Sequence, residues 1–377
     1  MQIAFNATAL LSPLTGIGQY SYHLAMGLMA QQNLKLDFFY GAFWSKQLRS
    51  SPNGTLAASL PWLRRHIPYS YELRRWLQNS QFRQGTQRKQ FDLYHEPNIL
   101  ALRFDGPTVI TVHDLSWIRH PEAHPVERVR AMNRYFETGL RQAHALITDS
   151  TFVKQEIIDV FGVAPELITP IALGVDTLFK PLTPHQTLAV LSRHHLEHGH
   201  YFLAVGTLEP RKNLALALKA YLQLPTAIQQ RNPLVLIGMK GWHTSALEQQ
   251  IAPLIRKGLV RQLGYLERAD LAVLMAGALT LVYPSIYEGF GLPPLEAMAC
   301  ATPVICANSS SLPEVVGNTG VLIEAHNDLA LANAMVRMAE DDEWRTELAH
   351  QAVERAASLT WAHCVDKTIG VYRTLMS

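Results

Sequence analysis

Residues 279–309, LTLVYPSIYEGFGLPPLEAMACATPVICANS, decide how the chain folds. A short apolar run ends at Pro284, and a second opens at Pro303. Between them the chain turns through Gly289 and Gly291 and enters a helix with Pro293 and Pro294 in its first turn. Proline fits there because the first helical N–H groups have no intrahelical acceptor to lose. Strand, glycine turn, helix and strand make one crossover unit of a parallel sheet. Two carboxylates flank the turn, Glu288 before it and Glu296 in the first helical turn.

The same alternation runs through the whole chain. In the first half, IAFNA, LDFFYGA, DLYHE, PTVITVHD, ALITDS and ITPIALGVD read as strands separated by amphipathic stretches such as YSYHLAMGLMA. In the second half, YFLAVGT, PLVLIGM, VRQLGYL, LTLVYPS, PVICANS and GVLIE do the same. The fold class is therefore α/β, with two Rossmann-like doubly wound parallel sheets. The proline-bearing stretch 177–200 separates them. We assign 1–177 to an N-terminal domain, 178–200 to a linker and the start of the second domain, and 201–355 to a C-terminal domain. Residues 356–377 end a long helical stretch, from about Asp342 to Leu375, interrupted at Trp361; this end crosses back to the first domain.

Composition narrows the function. With 377 residues and 48% hydrophobic content, the chain exceeds the size at which one core keeps growing. A formal net charge of +2 argues against a nucleic-acid binder. The three cysteines, Cys300, Cys306 and Cys364, lack metal-type spacing and read as core packing in a reducing, cytoplasmic setting. The N-terminus has no basic region before Lys35, so export is not expected. The apolar run Leu271–Tyr283 falls short of the roughly 20 residues that span a bilayer. His194, His195, His198 and His200 have no carboxylate or thiol beside them and read as a solvated connector rather than a zinc site.

In open parallel sheets, ligands bind beyond the carboxyl ends of the strands, where amides at helix N-termini point outward. Gly16 and Gly18 lie in the first such loop. As a dinucleotide fingerprint they fail, because Ser21 stands where a third glycine is needed; a phosphate-approaching loop and an ordinary tight loop both remain open. His113 ends the strand TVITVHD, where an imidazole can bond a substrate hydroxyl or be satisfied by backbone. Arg211 and Lys212 stand side by side just before a helix, where the dipole prefers anions, so an anion is expected beside them. The amides of Phe290, Gly291 and Leu292 are placed to meet such an anion.

VGTLEPRKNL, LVLIGMKGW, LGYLERADLAVLMAGA and YPSIYEGFGLPPLEAMACATPV, followed by SSSLPEVVG, resemble the group 1, family 4 glycosyltransferases, retaining enzymes of the GT-B fold and here mannosyltransferase-like. The resemblance is dense over 204–320 and thinner before it, where TGIGQYSYHL, TVHDLSW and IALGVD also fit. It implies two domains facing a central cleft, the first on the acceptor side and the second binding a nucleotide sugar. It also implies that Arg211 and Lys212 bind the donor diphosphate, with Phe290, Gly291 and Leu292 as amide donors, and that Glu296 accepts the ribose hydroxyls. Glu288 then resembles the acid holding the donor sugar hydroxyls, His113 the residue near that sugar, and Gly16 with Gly18 the loop beside the phosphates.

No Asp-x-Asp sequence occurs, so a divalent metal clamp is not expected and no cofactor is called for beyond the donor. Fixed cations and amides aimed at the leaving diphosphate can replace it. A GT-B-fold nucleotide-sugar epimerase and a non-catalytic nucleotide-sugar-binding protein share the architecture and stand as alternatives. The failed glycine pattern opposes a nicotinamide enzyme. Residues 60–90, LPWLRRHIPYSYELRRWLQNSQFRQGTQRKQ, hold seven basic residues against Glu72, with Trp62, Tyr69, Tyr71 and Trp76 interleaved. Such a segment suits an anionic membrane surface, at about 1 kcal/mol per Lys or Arg. The resulting expectation is a peripheral enzyme of the inner membrane face, moving a hexose from a GDP-mannose-type donor to a glycan or polyprenyl-linked acceptor in O-antigen, capsule or exopolysaccharide synthesis.

Overall fold

The computed structural model describes residues 1–12, 14–49, 70–241 and 244–376. They form two compact units. Unit 1 comprises Met1–Leu115, Glu127–Gly174 and Trp361–Ser377; unit 2 comprises Ser116–Val126 and Val175–Thr360.

Unit 1 is built on a seven-stranded sheet of β1 (Gln2–Asn6), β2 (Lys35–Phe39), β3 (Trp44–Ser45), β4 (Leu93–Glu96), β5 (Thr108–Val112), β6 (Ala145–Thr148) and β7 (Ile168–Pro170), ordered β3-β2-β1-β4-β5-β6-β7. Every residue of β4, β5 and β6 is buried, as expected of strands covered on both faces. All pairings are parallel except that of β2 with β3, a two-residue edge too short to leave a periodic signal in the sequence. Residues 97–107 connect β4 to β5 without a helix.

The terminal helix Trp361–Met376 belongs to unit 1 and packs on helix Gly16–Met29. A Cβ at Gly27 would overlap Val365, so the absence of a side chain there lets the two helices approach. Trp361 stacks on His23 at 4.7 Å, and Tyr372 bonds His95 Nδ1 at 2.5 Å in the core.

Unit 2 has six parallel strands, β8 (Phe202–Val205), β9 (Leu234–Ile237), β10 (Val260–Gly264), β11 (Thr280–Tyr283), β12 (Val304–Ala307) and β13 (Val321–Ile323), ordered β10-β9-β8-β11-β12-β13. Its core joins strand residues such as Phe202, Leu236, Val282 and Ile305 to helix residues such as Tyr221 and Met335. Strand order reverses between β8 and β11, so the loops leaving those two strands lie side by side, at the place where open sheets bind ligands.

One detail differs from the sequence reading and one agrees with it. The stretch assigned to a linker contains helix Pro184–Arg193, which opens with a capping box between Thr183 and Gln186; the signal was present in TPHQ but overshadowed by the prolines. The long terminal stretch is two helices, Asp342–Ala357 and Trp361–Met376. Their break is pinned where the Val175 N–H donates to the Leu359 carbonyl at 3.1 Å and Val175 bridges Thr360. Cys300, Cys306 and Cys364 are free thiols buried in the packing.

Candidate active site

In unit 2 the loop after β8 delivers Glu209, Arg211 and Lys212, and the loop after β11 delivers Ser285 and Glu288. A short turn of 3₁₀ helix, Pro210–Lys212, ends at Asn213, whose left-handed φ of +53° redirects the chain into helix Leu214–Leu222. Ile286 N–H donates to the Arg211 carbonyl at 3.0 Å, joining the two loops.

The anion expected beside the two cations is internal. Arg211 donates through Nη2 to Glu209 Oε1 at 2.7 Å, and through Nη1 to the Tyr287 carbonyl at 2.6 Å and Glu288 Oε2 at 3.2 Å. Lys212 Nζ donates to Glu288 Oε1 at 2.5 Å and to the Tyr283 hydroxyl at 3.0 Å. The hydroxyls of Ser285 and Tyr283 also donate to Glu288 Oε1, at 2.6 and 2.9 Å. The four charged side chains are only 5–13% exposed. Burial alone would raise the Glu288 pKa, but Lys212 and Arg211, with the bonds from Lys212 and Ser285, hold it at about 2. Burial pulls Lys212 below its ordinary value against the opposing pull of Glu288.

Beyond this cluster the chain reaches Gly291, whose φ of +122° only glycine adopts readily, and then helix Leu292–Ala299. Ser311 fixes the turn from below, donating to the Phe290 carbonyl at 2.8 Å. Among the described residues, the amides of Phe290, Gly291 and Leu292 meet no acceptor. Three donors and two cations are thus gathered by adjacent loops.

Glu296, on the same helix, has a different environment. Arg268 donates to its Oε1 at 3.1 Å, approaches Asp176 at 3.6 Å, and lies over the Phe179 ring at 4.8 Å. Burial pushes the Glu296 carboxyl up to about 7, with Arg268 opposing. Arg268 and Asp176 were missed by the sequence reading; only the fold brings positions 176, 268 and 296 together. Tyr283, Ser285, Ser310 and Ser311 around Glu288 were missed too, although all four stand in quoted motifs.

In unit 1, His113 is not open for a substrate. Its Nδ1 lies 2.7 Å from Asp149 Oδ2 and its Nε2 lies 2.8 Å from the Pro97 carbonyl, so both ring nitrogens are engaged. Gly16 is exposed at the start of its helix, whereas Gly18 is buried, where an added Cβ would lie 3.0 Å from Leu14. Gly18 therefore lies in the first turn of the helix, not in a loop, and packs it against the preceding loop at Leu14. Of the basic segment, residues 60–69 lie outside the described residues, as do the side chains of Tyr71 and Glu72. Arg75 is spoken for: it donates to the carbonyls of Leu100 and Ala101 and lies over Tyr135. Of the linker histidines, His198 bonds the Thr187 hydroxyl at 2.9 Å.

Two doubly wound sheets with a cation pair at a switch point define the GT-B class of glycosyltransferases, and comparison supports this. The chain matches a structure of Anabaena HepE in complex with UDP and glucose over 99% of its own length and 100% of that chain, with a TM-score of 0.76 at 21% identity. It also matches WaaG, a glycosyltransferase involved in lipopolysaccharide biosynthesis, over 98% of its own length and 99% of that chain, with a TM-score of 0.72 at 15% identity. Residues 193–358 match the glycosyl transferases group 1 family and residues 14–178 match glycosyltransferase family 4. The "O-antigen chain mannosyltransferase B" of Escherichia coli is 36% identical, with both chains covered in full. The serotype-specific mannosyltransferase WbdA of E. coli is 30% identical over 71% of this chain and 34% of its own length. The chain belongs to the group 1 glycosyltransferases and is mannosyltransferase-like.

Proposed function

We propose that this enzyme moves a mannose-type hexose, with retention, from a nucleoside-diphosphate sugar to a lipid-linked glycan in the assembly of an O-antigen or similar surface polysaccharide. The observation that carries the reading is the grouping of Arg211 and Lys212 with three acceptor-free amides at Phe290, Gly291 and Leu292. A departing diphosphate would meet there three amides and the field of two cations that Glu209 and Glu288 hold in place. Each hydrogen bond to a charged group contributes about 1.5–3 kcal/mol, enough in sum for the donors to do the work of a metal ion. The donor is of the GDP-mannose type, a choice supported by the full-length likeness to a mannosyltransferase.

Within this reading Glu296 with Arg268 grips the ribose, Glu288 orients the sugar hydroxyls, and Gly16 borders the phosphates while Gly18 packs its helix against the preceding loop. His113 and its neighbours shape the edge of unit 1 that faces the sugar and acceptor. Retention follows from attack on the face the leaving group vacates, with the diphosphate taking the acceptor proton. The enzyme works at an anionic membrane surface, to which helix Ser70–Arg88 offers exposed Leu73, Trp76 and Leu77 with Arg74, Arg83 and Arg88.

The test is transfer from GDP-mannose and UDP-glucose to a polyprenyl-diphosphate oligosaccharide in excess chelator, with the product linkage read by NMR. An α-mannosyl product formed without added metal is expected. Loss of transfer in chelator with recovery in magnesium, or exclusive use of UDP-glucose, would overturn the metal or the donor assignment respectively. Turnover of the donor without an acceptor would point to an epimerase.

A further inference from the structure

The loop after β4 carries backbone strain at the ligand edge of unit 1. Ile99 is β-branched and buried, yet its φ is +59°. That region costs a non-glycine residue of order 1–3 kcal/mol and persists only where the surroundings over-determine it. Here they do. Ile99 N–H donates to the Thr111 carbonyl at 3.0 Å, Asn98 N–H to Glu96 Oε1 at 3.1 Å, and His113 Nε2 holds the Pro97 carbonyl at 2.8 Å. The ends of three neighbouring strands, β4, β5 and β6, converge on one short loop.

The hydrogen-bond directions fix one proton of the ring. A carbonyl only accepts, so Nε2 carries a proton; Nδ1 faces a carboxylate oxygen, which accepts in its ionised form. Burial raises the Asp149 pKa and the His113 charge opposes it; with Asp149 ionised, the imidazole donates from both nitrogens, as an imidazolium with Asp149 as counter-ion. Burial disfavours charge on the ring, but the Asp149 carboxylate outweighs it and the His113 pKa rises above its ordinary value. Asp149 Oδ1 is buried without a partner among the described residues, so its charge is met through His113 alone. The other titratable groups around the pair are Asp114, whose charge favours the imidazolium, and His95, held neutral by burial with a pKa of about 3. Tyr20, edge-on to the ring at 4.9 Å, and Cys364, facing Asp149, are kept protonated by burial.

We infer that Asp149 is a positioning residue of the transferase: it holds His113 as a doubly protonated clamp on the Pro97 carbonyl and so fixes the strained loop Pro97–Leu100. The loop's place beyond the strand ends makes it a shaping element of the substrate edge, an assignment that rests on the function proposed above. A second consequence is chemical. With a proton on each nitrogen, His113 has no lone pair with which to take the proton of an attacking hydroxyl.

Asp149→Asn keeps the shape and removes the counter-ion; its amide oxygen can accept from Nδ1 of a neutral ring, which then has no proton on Nε2 for the Pro97 carbonyl. Side-chain ¹⁵N NMR of histidine-labelled protein, with His113 assigned from His113→Gln, reads the ring directly. Both nitrogens of His113 should stay protonated to a higher pH in the unsubstituted protein than in Asp149→Asn. In steady-state kinetics any limb in kcat from this ring should lie at higher pH in the unsubstituted enzyme than in the variant. Asp149→Asn should lose roughly tenfold in kcat as pH rises through about 6.5, with donor KM little changed. A neutral His113 ring in the unsubstituted protein overturns the inference, and so does an Asp149→Asn profile parallel to the original. The NMR result needs no turnover, so an error in the assigned activity and an error in the clamp are told apart.

Discussion

At the scale of single residues, the two acids of the glycine turn live in opposite electrostatic settings. Glu288 is ionised down to about pH 2 and neutralises Arg211 and Lys212, whereas Glu296 is pushed up to about 7 by burial. On the proposed reading, Glu288→Gln removes a charge that competes with diphosphate for the same cations. Product affinity should hold or rise, while kcat should fall at least about tenfold, about 1.4 kcal/mol of barrier, because the sugar loses its orienting acid. Glu296→Gln should instead raise donor KM with a smaller effect on kcat, the mark of contacts shared by ground and transition states. Donor affinity should also strengthen as pH rises through about 7, where Glu296 ionises, and this dependence should vanish in Glu296→Gln. Calorimetry of nucleoside diphosphate binding across pH, with steady-state kinetics, checks all of this; a kcat-only defect in Glu296→Gln would reverse the two roles. The sequence made the acids and cations legible, because each falls within a dense motif. Arg268 stands in such a motif as well, but its role, like those of Asp149 and Pro97, shows only through partners between 16 and 36 positions away.

At the scale of elements, the turn into helix Leu292–Ala299 depends on one residue. A side chain at Gly291 would meet Leu312 at 2.9 Å and force an L residue to a φ of +122°. Gly291→Ala should cost about 1–3 kcal/mol of stability and displace the acceptor-free amides. Thermal melting with and without nucleoside diphosphate reads both effects: the variant should melt lower and gain less from the ligand. An unchanged ligand shift would free those amides from the phosphate role. Helix Ser70–Arg88 carries the membrane reading. Because Arg75 is held by carbonyls, the informative variant replaces Arg74, Arg83 and Arg88 with glutamine. Co-sedimentation with anionic liposomes should drop in the variant, and should fall with salt in the parent, since screening acts over about 10 Å at 0.1 M. Equal sedimentation of both proteins would leave the helix a solvated face. The main strands could be anticipated from the apolar runs, but not their order in each sheet, nor β3, whose two residues carry no period, nor the helix-free crossover 97–107, whose loop is set by tertiary bonds.

At the scale of the whole molecule, buried acids set the pH response of folding. Burial raises the Glu96 and Glu296 pKa values to about 7, above their unfolded values. Each then holds a proton in the fold that the open chain has lost, so stability should fall as pH climbs from about 4.5 to 7. Glu288 acts the other way: its stabilisation is present above its unfolded value and disappears as pH drops towards 2. His95, neutral in the fold, contributes in the opposite sense below its unfolded value. Chemical denaturation at pH 5, about 6 and about 7.5 should therefore be compared between proteins, with stability declining less across the series in Glu296→Gln than in the parent; equal slopes would mean that Arg268 keeps Glu296 ionised. One architectural fact has its consequence in time. Because Trp361–Met376 supplies Tyr372 and Cys364 to the core of unit 1, that unit cannot close while the ribosome still covers the last helix, whereas unit 2 is complete at Thr360. The later-coded unit should therefore mature first, against the usual N-to-C order of domain folding. A released chain truncated after Thr360 should yield a protease-resistant fragment from unit 2 and none from unit 1. In the cell, the half-built first sheet, its apolar surface still open, is the part of the nascent enzyme that chaperones would be expected to guard.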